Sequence, residues 1–91
     1  MAGTVAVIVK IMPDSPDENL EAIKTEARVK LEEDGAQNIS FEEKPIAFGL
    51  KAVMVKFAWN EDKDTSIFED KLAAIAGVSG ATVEDYRRAF G

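Results

Sequence analysis

The chain predicts an α+β fold of two layers, a four-stranded antiparallel sheet with both helices on one face. Three observations lead there. Stretches with a two-residue hydrophobic period and stretches with a three- to four-residue period follow one another as strand, helix, strand, strand, helix, strand (βαββαβ). The 91 residues leave room for one domain, spanning 1–91, and one modest core. Apolar and charged fractions of 46% and 31% match a packed globular protein and not a disordered tail.

Each element has its own signal. Val5, Val7, Val9 and Ile11 alternate with Ala6, Ile8, Lys10 and Met12, which predicts a strand over 4–12 stopped by Pro13. Ser15-Pro16-Asp17-Glu18 reads as a helix start, with Ser15 as cap, Pro16 at the first helical position and Glu18 closing a capping box. Leu20, Ile23, Ala27 and Leu31 then form one apolar stripe, and Gly35 marks the end. Ile39 and Phe41 give a short second strand, interrupted by Glu43-Lys44-Pro45 at a strand end, an edge or a bulge. Phe48-Gly49 marks the turn into a third strand. There Val53, Val55, Phe57 and Trp59 share one face, while Ala52, Met54, Lys56 and Ala58 share the other. Asp64 or Thr65 caps a second helix that sends Phe68, Leu72 and Ile75 inward and closes at Gly77. Val78 and 81–86 complete the set with a less regular strand. The rules for connections place the third strand between the first and second, which is the ferredoxin-like arrangement.

Composition excludes several functions. There is no cysteine, so no disulfide, thiolate nucleophile or cysteine-bound zinc, and no histidine, the commonest general base and transition-metal ligand. The formal charge of −6 opposes a nucleic-acid partner. The start carries no basic leader or long apolar segment, and no run is long enough to span a bilayer, so a cytoplasmic protein is expected. Asp62 and Asp64 with Glu61 lack the glycine and closing glutamate of a calcium loop and read as a solvated turn. Glu32-Glu33, Glu42-Glu43 and Glu84-Asp85 are sequence neighbours whose side chains diverge, so they read as surface charge and not as an acid–base pair. Gly77-Val78-Ser79-Gly80 joins helix to strand, the wrong order for a phosphate loop. No catalytic residue, metal ligand or cofactor site is expected.

Protein binding remains. The sheet face without helices carries Ala6, Ile8, Ala52 and Met54, flanked by Lys10 and Lys56. Such a surface is either tolerated or docks something. It offers no aromatic residue for stacking bases, which argues against an RNA-binding module. Phe48 either enters the core or projects from the hairpin tip, where an aromatic anchors an interface. Arg87 and Arg88 read first as a frayed, charged end, although Tyr86 and Phe90 point to an ordered or dockable one. A small ferredoxin-like regulatory module binding a small molecule is the alternative, and it requires a pocket at a sheet edge or dimer interface.

Pro45-Ile46-Ala47-Phe48-Gly49-Leu50-Lys51, the turn Met12-Pro13-Asp14-Ser15-Pro16 and the ending Asp85-Tyr86-Arg87-Arg88 together resemble the elongation factor 1-beta family in its short archaeal form. The likeness covers the whole chain. It implies the ferredoxin-like sandwich and a guanine nucleotide exchange factor that binds elongation factor 1-alpha and speeds GDP release, without bond chemistry, direct nucleic-acid contact or a membrane. The resemblance implies that Phe48 contacts the second domain of that partner. It also implies that Arg88, with Arg87 beside it, takes the place of a lysine that reaches the magnesium site in eukaryotic relatives. Arginine there departs from the family pattern, being planar and bulkier than an ammonium.

Overall fold

A computed structural model of the chain describes residues 3–89. Met1, Ala2, Phe90 and Gly91, which entered the expectations for a leader and for the terminal strand, lie outside the described residues. The order is β1 (Thr4–Pro13), α1 (Leu20–Glu33), β2 (Gln37–Pro45), β3 (Lys51–Asn60), α2 (Ser66–Ala73) and β4 (Val78–Ala89). The four strands form one antiparallel sheet in the order β2-β3-β1-β4, the ferredoxin-like topology predicted from the hydrophobic periods.

Alternation along β1 buries Val5, Val7, Val9 and Ile11, and alternation along β3 buries Val53, Val55, Phe57 and Trp59. Ile23, Ala27 and Leu31 of α1 and Phe68 and Leu72 of α2 close over them, so both helices cover the same sheet face. Phe57, Trp59 and Phe68 meet edge to face in this core, with centroids 4.8–6.0 Å apart. The Trp59 Nε1–H donates to the Lys63 carbonyl at 3.2 Å, so the buried indole keeps a partner.

Two boundaries differ from the sequence reading, and at another the structure selects between the two caps it offered. First, α1 begins at Leu20, and its cap is Asn19 instead of Ser15. The Asn19 Oδ1 accepts from the backbone of Glu21 and Ala22 at 3.1 and 3.2 Å. Ser15 instead opens a turn closed by Glu18 N–H (3.3 Å), and Glu18 lies over Gly77, away from any capping box. Second, of the two candidate caps of α2 it is Asp64 that accepts from Ser66 N–H at 2.9 Å, and that bond holds its carboxyl below the usual carboxylate range. Third, β2 runs on through Glu43-Lys44 to Pro45, and β4 runs from Val78 to Ala89. Pro45 is tolerated because β2 is an edge strand.

The uncovered face carries half-buried Ala6, Ile8, Met12, Met54 and Ala58. Ala52 lies on this side of β3 and is fully buried, yet it stands apart from the main core cluster. A groove of about 450 Å³, open to solvent, runs along Ile8, Ser40, Glu42, Met54 and Lys56. Among the described residues no helix is long and apolar enough to cross a membrane.

Candidate functional site

The residues singled out in the sequence sit at the two ends of the sheet. β3 has ten residues, which at the usual rise spans about 30 Å, and the molecule is 44 Å along its longest axis. The β2–β3 hairpin caps the end of the sheet where Pro13, Lys51 and Val78 lie. β4 finishes at the other end, beside Thr4 and Asn60.

At the hairpin end, Ile46 N–H donates to Leu50 C=O and Leu50 N–H to Ala47 C=O, each at 2.9 Å. The central residues of this turn, Phe48 and Gly49, have φ of 55° and 78°. Positive φ at both positions gives the mirror-image turn whose twist suits a tight hairpin, a geometry that selects Asn-Gly or Gly-Gly. Glycine satisfies it at Gly49. Phe48 does not, and an aromatic side chain in the left-handed region is held at a cost of about 1–2 kcal/mol. Its ring is 95% exposed, so it does not enter the core. The tip rests near the 14–19 turn: a Cβ built at Gly49 would lie 3.8 Å from the Pro16 Cβ. That turn is itself fixed by Asp14 N–H donating to Gly77 C=O at 2.8 Å. The Met12–Pro16 and Pro45–Lys51 segments, distant in sequence, therefore meet at one end of the fold.

At the other end, Arg87 and Arg88 belong to β4 and are not a frayed tail. Their side chains part to opposite faces. Arg88 pairs across the strands with Val5 and Tyr86 with Val7, both core-facing, whereas Arg87 pairs with Ala6 on the uncovered face. A bulge decides which arginine goes where. Val9 faces Val83 and Ile8 faces Asp85, so Glu84 is an extra residue that shifts the alternation by one. Without it, Arg87 rather than Arg88 would continue the inward row of Ala81 and Val83.

Each arginine has a carboxylate on its own face. Arg87 Nε lies 2.9 Å from Asp85 Oδ2, and Arg88 Nε lies 3.3 Å from Glu61 Oε2. Both guanidinium groups stay outward, 80% and 74% exposed. Lys10 and Glu84 add a further pair on the open face at 3.6 Å. Two cations at one strand end of an acidic protein, on opposite faces and each already beside a carboxylate, are each suited to phosphate or carboxylate groups elsewhere.

Comparison with known proteins gives the family. The EF-1 guanine nucleotide exchange domain matches residues 6–88, from the first strand through Arg88. The chain belongs to the elongation factor 1-beta family. It is 40% identical over 87 residues to elongation factor 1-beta of Methanothermobacter thermautotrophicus, covering 94% of this chain and 97% of that protein. It is 40% identical over 84 residues to that of Methanosphaerula palustris, covering 91% and 94%. It is 37% identical over 87 residues to that of Methanobrevibacter smithii, covering 94% and 97%. Membership makes it a translation elongation factor with a guanine nucleotide exchange domain.

Two members of the arginine end escaped the sequence reading. Glu61 was grouped with Asp62 and Asp64 as loop charge, yet its carboxylate joins Arg88 to the start of β1 by accepting from Gly3 N–H at 3.2 Å. The Glu84 bulge left no signal beyond the irregular alternation of the last strand. Parity from Trp59, an inward residue two positions earlier, could have put Glu61 on the side of Arg88.

Proposed function

We propose that this chain binds a GTPase, elongation factor 1-alpha, across two of its domains and accelerates release of GDP so that GTP can load. The observation that carries this is the pairing of a strained, exposed Phe48 with two strand-held arginines at the opposite end of a rigid sheet. A tip aromatic on a stiff hairpin supplies contact area with little flexibility to lose. Guanidinium groups about 30 Å away act on oxyanions, which is what a GDP site offers. GDP is held through its phosphates and a magnesium ion, itself held by carboxyl and hydroxyl oxygens. Phe48 supplies affinity, and Arg88 supplies the coupling that weakens nucleotide binding. Each tenfold loss of GDP affinity requires about 1.4 kcal/mol of coupling, and GDP weakens binding of the factor by the same amount. The whole chain acts as one exchange domain, in the cytoplasm, by binding alone.

The test is release of a fluorescent GDP analogue from the cognate elongation factor 1-alpha, with and without this protein. Dose-dependent acceleration is expected. Arg88→Ala lowers the maximal rate by about tenfold or more with little change in the half-saturating concentration. Phe48→Ala raises that concentration and leaves the maximal rate near wild type. No acceleration by the folded wild-type protein overturns the reading.

A further inference from the structure

We infer that Glu61 is a positioning residue for exchange: it holds the Arg88 guanidinium in place by an ion pair and leaves its hydrogen-bond donors for the oxyanions of a partner. The inference deepens the exchange reading and rests on it for what the arginine meets.

Glu61 follows directly on β3 and is fixed from both directions. Its backbone N–H donates to Gly3 C=O at 3.1 Å, and its Oε1 accepts from Gly3 N–H at 3.2 Å. Its second oxygen is the one 3.3 Å from Arg88 Nε. One carboxylate therefore ties together the start of β1, the end of β3 and the end of β4. The acid is the sheltered member of the pair, 26% exposed against 74% for the arginine. The contact is an ion pair and not a hydrogen bond: among the described residues no nitrogen of the Arg88 guanidinium donates one. Arg87 is held differently, by Asp85 two residues away on its own strand with no third anchor.

An ion pair this exposed adds little to folding. Its effect is on where the guanidinium spends its time. A long side chain that must be immobilised on binding opposes association, and a tether present beforehand removes part of that opposition. Held by charge alone, the guanidinium keeps its donors for planar oxyanions. Gly3 completes the device, because a Cβ there would lie 2.6 Å from Glu61 Oε1. Glycine at that position leaves the carboxylate its room.

Three variants test this in the full chain. Glu61→Gln keeps the acceptor for Gly3 but removes the charge that faces Arg88. Gly3→Ala displaces the carboxylate while changing neither partner. Both lower the maximal rate of GDP release by about 3- to 10-fold, with the half-saturating concentration within about twofold of wild type. In an Arg88→Ala background neither has a further effect. Equal losses in the wild-type and Arg88→Ala backgrounds overturn the inference, because they would mark Glu61 as a general support of the fold. An unchanged maximal rate overturns it too. Mobility of the Arg88 Nε–H bond, followed by 15N relaxation in the free protein, reads the tether without any partner. Restricted motion in wild type that is released in Glu61→Gln and Gly3→Ala supports it, and equal mobility in all three overturns it. If wild type fails to release GDP while this mobility pattern holds, the exchange reading has failed and the tether has not.

Discussion

The hairpin end and the arginine end of this sheet are built on opposite terms. The hairpin end is apolar and strained, with Phe48 in a backbone conformation that asparagine or glycine would adopt more easily and a ring that touches little of its own protein. The arginine end is charged and relaxed, its cations in regular strand geometry and each beside a carboxylate. An unpaired aromatic gains nothing until it is buried against something else, so its free energy is realised almost wholly on binding. A paired cation has already been partly satisfied and is suited to exchanging one oxyanion for another. One end fits the work of holding a partner, the other the work of altering it.

The largest expected effect falls between the ends. Phe68→Ala removes the helix ring wedged against Phe57 and Trp59 and costs about 3–5 kcal/mol of stability, measured as a shift in denaturation midpoint. Both ends then lose function together, and a variant that lost only one would break the idea that the sheet holds them at a fixed spacing. The next effect separates folding from binding. Phe48→Asn relieves the left-handed strain, raising Tm by about 3–6 °C, while partner affinity falls by about 30-fold. A variant that is neither more stable nor weaker in binding would remove the case for strain kept for function.

The smallest effect is electrostatic and belongs to neither end. Lys24 on α1 lies 2.8 Å from Glu43 on β2. That hydrogen bond chiefly raises the lysine pKa and lowers the carboxyl pKa. The Glu43 contribution to stability is present above the ordinary carboxylate range and is lost as pH falls through its depressed value. The Lys24 contribution is present below the ordinary lysine range and is lost as pH rises through its raised value. Glu43→Gln should therefore lower Tm by about 1–2 °C at neutral pH, with the gap to wild type closing in acid. A gap that widened in acid would show that the pair is not its source.

Most of the fold was legible because burial dictates it. Val5, Val7, Val9 and Ile11 alternate cleanly, and the structure buries all four. The start of α1 was not, since Ser15 and Asn19 are both good caps. What separated them was Glu18, drawn to Gly77 by a contact between segments far apart in sequence. Phe48 could be located at a turn from its glycine neighbour, but whether it turned inward depended on the backbone angle, which sequence does not reveal. Arg87 and Arg88 were found as a pair. Their separation to two faces depended on a single unpaired residue upstream, and hydrophobic alternation is weakest where a strand bulges.

That bulge has a consequence for reading relatives of this chain. Beyond Glu84, the side on which a residue emerges depends on its distance from the bulge and not on its chemical type. A cation one place earlier or later in the tail of a relative answers to Arg88 only if its bulge has moved with it. Loss of one residue between Glu84 and Arg87 would exchange the faces of the two arginines while leaving both in the sequence. In this short segment a gap of one position is a larger change than any substitution, and the tails of the family are to be aligned by phase before they are aligned by identity.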